Sequence, residues 1–121
     1  MEQNNNMNSI LSLMVDSEIL ASFSYRELLE DNVSITIVLD EKLSLLPSYF
    51  VGTNKDSVLN GFCNPIELQT FPQKGKSTYL RLYRRRWKEP GGSLSYSNTY
   101  KFNKLDAKVT DPFASFLKET P

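Results

Sequence analysis

Four arginines and one lysine lie within the ten residues from Tyr79 to Lys88, and aromatic residues are interleaved with them. Guanidinium groups donate paired hydrogen bonds to phosphate oxygens, and aromatic rings stack on nucleobases or on guanidinium groups. These residue types at this spacing favour the binding of a polyanion, and of nucleic acid in particular. The candidate DNA-binding residues are Lys74, Lys76, Arg81, Arg84, Arg85, Arg86, Trp87 and Lys88.

Charges are segregated along the chain, although its 14 Lys and Arg residues balance its 14 Asp and Glu residues. Residues 1–60 hold three cations and nine acids, which gives 3 − 9 = −6, whereas residues 74–104 hold nine cations and one acid, which gives 9 − 1 = +8. This pattern predicts an anionic partner for the basic part. Two alternatives remain open: the cations protect an edge strand from aggregation, or they pair with the acidic half of the same chain.

The residue types needed for catalysis or for a metal site are scarce. The sequence has no histidine and one cysteine, Cys63, so neither a zinc site of Cys and His ligands nor an intramolecular disulfide is available. We interpret Cys63 as a small buried hydrophobe. The adjacent acids Asp40 and Glu41 point to opposite sides of a strand and do not form a two-carboxylate metal site. We therefore expect a protein that is not an enzyme and that binds no metal or cofactor.

The length and the hydropathy pattern limit the classes of protein to which the chain can belong. A chain of 121 residues suits one domain with a modest core. No apolar run is long enough to cross a membrane, and the start of the chain lacks the features of a secretory signal. We expect a cytoplasmic protein without membrane association, with a loose segment at residues 1–8 and a single domain at residues 9–121.

The first half of the chain predicts a helix followed by a β-hairpin. Apolar residues near helical spacing indicate an amphipathic helix from Asn8 to about Leu20. Phe23, Tyr25 and Leu29 then alternate with polar residues, and the stretch from Val33 to Leu39 alternates more strictly. Glu-Asp-Asn between them supplies turn residues. A helix continuing through Leu29 is the competing interpretation, because "YRELLE" consists largely of helix formers.

The second half predicts more strands and a closing helix. Residues 43–60 show no clear period and are expected to form a loop. Strands are predicted at residues 66–71 and 79–88 and a returning strand at residues 94–103, with "EPGGS" as the turn of the last hairpin. A helix begins at Thr110 or Asp111, followed by Pro112, and buries Phe113, Phe116 and Leu117 on one face. The fold class is therefore α+β: a small single domain of mostly antiparallel β-hairpins with a helix near each end.

The basic strand cannot lie in the core along its whole length. Leu80 and Leu82 share one face with Arg84, Arg86 and Lys88, and burial of three unpaired cations would be very unfavourable. The strand must therefore leave the core near residue 83 and project as a basic β-ribbon. Such a ribbon fits a nucleic-acid groove, with the aromatic residues bracing it more often than contacting DNA.

Several motifs follow one another in the second half of the chain: Gly61-Phe62, Ile66 to Pro72, Gly75-Lys76, Tyr79 to Lys88, and residues 113–118. Together they resemble the N-terminal-region protein of a group of bacterial insertion-sequence transposases, in which a short open reading frame precedes the catalytic one. The same stretch is more distantly similar to the N-terminal zinc-binding domain of larger transposases. There, Cys-x-x-Cys pairs flank the basic strand. No such pair stands here, so the zinc ligands are lost.

The resemblance implies recognition of transposon-end DNA beside a catalytic transposase subunit on a separate chain. Cleavage and strand joining would belong to that subunit, and the expected function here is an accessory, non-catalytic DNA-binding module. Two alternatives remain open. The chain is either a protein-interaction subunit that docks its basic ribbon on the catalytic transposase, or a transcriptional regulator of the element.

Overall fold

Six strands and three helices make up the part of the chain that the computed structural model describes, residues 9–103 and 109–119. The strands are β1 (Phe23–Glu30), β2 (Ser34–Glu41), β3 (Val58–Phe62), β4 (Ile66–Gln73), β5 (Lys76–Tyr83) and β6 (Arg85–Lys88). The helices are α1 (residues 9–14), α2 (Ser17–Leu20) and α3 (Asp111–Glu119). The predicted α+β class is confirmed, with mostly antiparallel strands and a helix near each end. The predicted loose segment 1–8 lies outside the described residues.

The strands form two sheets. The main sheet contains four strands in the order β1-β2-β5-β4, in which the central pair β2 and β5 runs parallel. The outer pairs, β1 with β2 and β4 with β5, are antiparallel hairpins. β3 and β6 form a separate two-stranded antiparallel sheet, which we call the ribbon. β2 lies between two neighbouring strands and one of its faces meets the core, which accounts for the apolar residues Ile35, Ile37 and Leu39 at alternate positions.

The predicted N-terminal hairpin is confirmed, and Asp31 closes its turn. The Asp31 carboxylate oxygen Oδ1 accepts hydrogen bonds from the backbone N–H groups of Val33 and Ser34, both at 2.8 Å. These bonds favour the charged carboxylate and hold the pKa of Asp31 below its ordinary value. The competing helix through Leu29 is wrong, because pairing with β2 outweighs the helix propensity of this segment.

One residue of β1 breaks the alternation that the sequence predicts. The register with β2 shifts after Tyr25, so that Arg26 is the extra residue of a β-bulge. The prediction that Leu29 shares a face with Tyr25 is therefore wrong. Leu29 pairs with Thr36 and lies on the face of the sheet away from the core.

The hydrophobic core lies on one face of the main sheet. α1 and α2 cover this face; they replace the single helix predicted from Asn8 to Leu20 and are separated at Val15 and Asp16. The predicted core positions Leu80 and Leu82 are confirmed, since both are fully buried. The members of the core are Leu11, Val15, Ile19, Phe23, Ile35, Ile37, Leu39, Leu68, Leu80, Leu82 and Phe102.

The predicted strand from Tyr79 to Lys88 is two strands in the structure. β5 ends at Tyr83 and β6 begins at Arg85, which confirms that the chain leaves the core near residue 83. The predicted partner of β6 is wrong. β6 pairs with β3, from a stretch predicted largely as loop, whereas residues 94–103 contribute a bridge between Trp87 and Tyr96 and no strand.

The predicted C-terminal helix is confirmed as α3. The Thr110 hydroxyl accepts a hydrogen bond from the backbone N–H of Phe113 at 3.4 Å, as expected of an N-cap residue. Phe113 is buried against the edge of the main sheet, with its ring centroid 5.2 Å from that of Phe71. Phe116 and Leu117 were predicted to be buried together with Phe113. Both are exposed, so the prediction is wrong for these two residues.

Leu80 at the centre of the core provides a test of this packing. Leu80→Ala leaves a cavity between neighbouring strands, and we expect the free energy of unfolding to fall by about 2–5 kcal/mol. Urea denaturation followed by circular dichroism measures the change. Leu13→Ala is the control, because Leu13 is 84% exposed. That substitution should change the free energy of unfolding by less than about 0.5 kcal/mol, and equal losses in the two variants would contradict the assigned core.

Candidate nucleic-acid interface

The ribbon carries Arg86 on β6, and the Arg86 side chain lies close to Gly61 on β3. The register of the two strands shifts between Leu59 and Phe62, next to Gly61. Gly61 has a φ of +77°, a left-handed conformation that favours glycine. The Arg86 side chain crosses this point, with Nη2 3.3 Å from where a β-carbon of residue 61 would stand. Its Nε donates a hydrogen bond to the Asn60 carbonyl at 3.1 Å, so the exposed Arg86 is held along β3.

A buried carboxylate lies where β5 ends and the ribbon begins. Glu41, the last residue of β2, is 0% exposed. Its Oε1 accepts a hydrogen bond from the backbone N–H of Arg85 at 2.9 Å, and its carbonyl oxygen accepts one from Arg85 Nε at 2.7 Å. A buried charge without partners is strongly unfavourable. Glu41 therefore fixes both the backbone and the side chain of Arg85.

The segment after the "EPGGS" turn completes the hydrogen bonding of Glu41. Asn98 Nδ2 donates to Glu41 Oε2 at 3.0 Å and to the Leu45 carbonyl at 2.8 Å, and the Tyr100 hydroxyl donates to the same carboxylate oxygen. Arg84 Nη1 donates to the Asn98 carbonyl at 3.0 Å. Burial and the bond to Glu41 raise the pKa of Tyr100 above its ordinary value. We call Glu41, Arg84, Arg85, Asn98 and Tyr100 the Glu41 network.

Three of the predicted contact residues pair with the protein's own acids. Lys76 Nζ lies 2.8 Å from a carboxylate oxygen of Glu30, and Lys74 Nζ lies 3.9 Å from the same oxygen. The hydrogen bond from Lys76 lowers the pKa of Glu30. Arg81 Nε lies 2.6 Å from Glu67 Oε1. Pairing with the acidic half of the same chain, one of the alternatives left open by the sequence, therefore applies to Lys74 and Lys76, whereas Arg81 pairs with an acid of the neighbouring strand β4.

Two of the predicted contact residues, the exposed Arg86 and the half-exposed Lys88, carry unpaired charge on the ribbon within the described part of the chain. Arg86 and Lys88 form no salt bridge with a carboxylate anywhere in residues 9–103 and 109–119. They are two residues apart on β6 and therefore project on the same side. Lys55 adds an exposed cation beyond the strands, with Nζ 4.7 Å from the ring centroid of Tyr49, which donates a hydrogen bond to Glu89.

Trp87, predicted as a contact residue, is 8% exposed and lies inside the ribbon. Its backbone exchanges two hydrogen bonds with Tyr96, at 2.8 and 2.7 Å. The Tyr96 ring stacks on Tyr49 with a centroid separation of 3.9 Å and an interplanar angle of 7°. Trp87 therefore anchors the ribbon to the segment after the turn, and its indole is not accessible to nucleic acid.

A cluster of stacked side chains joins the ribbon to the main sheet. The Arg26 guanidinium carbon lies 4.4 Å from the ring centroid of Tyr83 and 5.5 Å from that of Phe62. The Arg85 guanidinium carbon lies 5.1 Å from the Phe62 centroid. Hydrogen bonds to Asp40, the shortest at 2.6 Å, hold Arg26 in place and raise its pKa. Cations over ring faces stabilise such an arrangement.

Sequence reasoning missed Glu41, Arg26 and Phe62 as parts of this site. Glu41 had a signal, because it continues the inward parity of Ile37 and Leu39 and so had to be buried with partners. No sequence signal placed Arg26 or Phe62 at this site. Their positions depend on a bulge in β1 and on the long-range pairing of β3 with β6.

Residues 9–103 and 109–119 contain no group of three or more His, Cys, Asp or Glu side chains that could hold a metal ion. None of the helices that the structure describes has the length and apolarity to cross a membrane. Comparison of the chain with family models, curated proteins and solved structures returned no match.

The Glu41 network predicts a large effect of one carboxylate on stability. Glu41→Ala removes the acceptor of three hydrogen bonds and leaves their donors without a partner, so we expect the free energy of unfolding to fall by about 3 kcal/mol or more. Glu41→Gln keeps the shape of the side chain and part of its hydrogen bonding, so the decrease in the free energy of unfolding should be smaller. Urea denaturation measures both.

The control for this prediction is Glu27→Ala, since Glu27 is an exposed acid of the neighbouring strand. This variant should unfold within about 0.5 kcal/mol of the native chain. A Glu41→Ala variant as stable as Glu27→Ala would show that the buried carboxylate does not hold the ribbon.

Proposed function

We propose that this chain is an accessory, non-catalytic DNA-binding module of an insertion-sequence transposition system. It recognises transposon DNA through the ribbon, beside a catalytic transposase subunit on a separate chain, in the cytoplasm. The motifs between Gly61 and Lys118 support the transposition system through their resemblance. The charge and shape of the ribbon support DNA binding.

The observation that carries the proposal is the position of Arg86 and Lys88. Both lie on one side of a two-stranded ribbon outside the main sheet, and neither is neutralised by a carboxylate of the described residues. A two-stranded β-ribbon fits the major groove of DNA, which is about 12 Å wide. Arg86 is held along β3 in an extended orientation, so a smaller part of its conformational freedom is lost on binding.

The remaining arginines of the run have a different role in this proposal. Arg84 and Arg85 are half-buried. Arg84 donates a hydrogen bond to Asn98, and Arg85 donates two to Glu41. Their charges add to the positive potential of the ribbon at long range, while their contacts set its angle to the main sheet. Phosphate contacts therefore belong to Arg86, Lys88 and Lys55.

Exposed apolar residues favour a second function, docking on the catalytic transposase. Val58 and Leu59 of β3 are exposed on the ribbon, and Leu94 is exposed just after its turn. Apolar residues that are grouped on a surface are typical of protein contacts. In this alternative the ribbon cations meet an acidic surface of the transposase.

The DNA-binding proposal predicts a defined salt dependence. If Arg86, Lys88 and Lys55 contact phosphates, the logarithm of the affinity for duplex DNA falls with the logarithm of salt concentration with a slope of about −2.7. Arg86→Ala combined with Lys88→Ala should weaken binding and make that slope shallower by about 2. Gel-shift titrations on duplex DNA from the ends of the element, at a series of salt concentrations, measure both.

Lys74→Ala combined with Lys76→Ala is the matched control, because it also removes two cations, and both pair with Glu30. For this double variant, the slope of the logarithm of affinity against the logarithm of salt concentration should stay close to that of the native chain. Equal losses in the two double variants would contradict the assignment of contacts to the ribbon. If the native chain shifts no DNA, and the transposase co-purifies with it after nuclease treatment, the docking function replaces DNA binding.

A further inference from the structure

The face of the main sheet away from the core carries aromatic and basic side chains in alternation. Tyr79, Arg81 and Tyr83 project from β5 on this face, because Leu80 and Leu82 between them are buried in the core. All three side chains remain half-exposed. A groove of about 360 Å³ on the same face is lined by Leu29, Glu30, Asp31, Ser34, Thr36 and Arg81.

This surface continues without a gap onto the ribbon. Arg26 stacks on Tyr83 and approaches Phe62, and Arg85 approaches Phe62 from β6. Phe62 is 37% exposed, so a ring is accessible within the stack. We name this surface the stacking stripe, and its members are Tyr79, Arg81, Tyr83, Arg26, Phe62 and Arg85.

The arginines of the stripe are oriented by carboxylates. Asp40 holds Arg26 through both of its oxygens, and Glu67 holds Arg81 at 2.6 Å. The ion pairs weaken the attraction of these arginines for phosphate, but their side chains stay 35% and 33% exposed. A planar guanidinium in a fixed orientation stacks on flat aromatic ligands without needing net charge.

Tyr79 presents a half-exposed ring on the sheet itself. Its neighbours in register are Thr36 on β2 and Gln69 on β4, both smaller polar residues. A flat ligand can therefore lie on the phenol ring between them.

We propose that the stacking stripe binds a single-stranded segment of nucleic acid, whose unpaired bases stack on Tyr79 and Phe62 and on the guanidinium groups beside them. This inference rests on the proposed function and names the form of the DNA that it recognises. The ribbon binds the phosphates of the adjoining duplex, and the stripe receives the strand that has separated from it.

The chemistry of the stripe favours unpaired bases over duplex DNA. In a duplex the π-face of each base is covered by its neighbours, whereas a single strand exposes it to aromatic side chains. Rings interleaved with arginines on an open sheet face are the side chains that bind single strands with little sequence preference. The stripe consists of aromatic rings and arginines, whereas Val58 and Leu59 at the other end of β3 are exposed aliphatic residues.

The test measures binding of the full chain to a short fluorescein-labelled oligo(dT), which cannot form a duplex, by fluorescence anisotropy. Phe62→Leu and Tyr79→Leu keep apolar bulk and remove the ring, and each should weaken oligo(dT) binding by roughly tenfold. Arg26→Lys keeps the positive charge but removes the planar guanidinium group, and it should also weaken oligo(dT) binding. Circular dichroism confirms that each variant is folded.

Phe71→Leu is the matched control, because Phe71 is 38% exposed, close to the value for Phe62, but lies against α3. Its affinity for oligo(dT) should equal that of the native chain. The proposal is overturned if the native chain does not bind oligo(dT), if the stripe variants bind it as tightly as the native chain, or if Phe71→Leu weakens binding equally.

The two proposals fail independently in these experiments. Tyr79→Leu should weaken oligo(dT) binding and keep the salt-dependent shift of duplex DNA, because Tyr79 lies on β5 and outside the ribbon. Arg86→Ala combined with Lys88→Ala should mainly weaken the duplex shift. A native chain that shifts duplex DNA without binding oligo(dT) leaves the proposed function standing and overturns the stripe. If stripe variants instead lose binding to the transposase while oligo(dT) is not bound, the stripe is a protein surface and the inference is wrong.

Discussion

A buried carboxylate at the end of β2 is the constraint on which the arrangement of the basic residues depends. Glu41 is removed from water, so it must be surrounded by donors, and these come from two segments distant in sequence. Arg85 supplies the backbone donor at the start of β6, and Asn98 and Tyr100 supply the others. One acid thereby ties the main sheet, the ribbon and the segment after the turn into a single unit, and it determines where the basic strand leaves the sheet.

The charge segregation along the sequence is partly cancelled in space. The acidic hairpin β1–β2 lies at one side of the main sheet, and β5 runs beside it, so Glu30 reaches Lys76 while Asp40 pairs with Arg26 inside the hairpin itself. The basic residues therefore divide into those that pair with acids, those that support the ribbon, and those that remain available to a partner. Exposed pairs of this kind contribute little to stability. Among the predicted contact residues, their main effect is to leave Arg86 and Lys88 of the ribbon without a carboxylate partner in the ranges that the structure describes.

The elements that rest on local patterns could be predicted from the sequence. β2 and β5 alternate strictly, Asp31 and the Lys74-Gly75 pair mark their turns, and Thr110 caps α3. What could not be predicted depends on contacts between distant segments. The bulge at Arg26 reverses the parity of the rest of β1, and β3 becomes a strand because β6 provides its partner. For the candidate site, the sequence located the basic run but could not separate exposed from paired cations, since that depends on which carboxylates lie across the sheet.

Parallel pairing at the centre of the main sheet has a consequence for synthesis of the chain. Ser34 pairs with Ser77, so the partners are 77 − 34 = 43 residues apart. During translation the first hairpin can close soon after it leaves the ribosome, but β5 must emerge before the apolar side chains of β2 gain their central neighbour. Until then the nascent hairpin exposes Ile37 and Leu39, a state that attracts chaperones and other unfinished chains. Because these contacts are distant in sequence, we expect union of the two locally formed hairpins to be the slow step of folding.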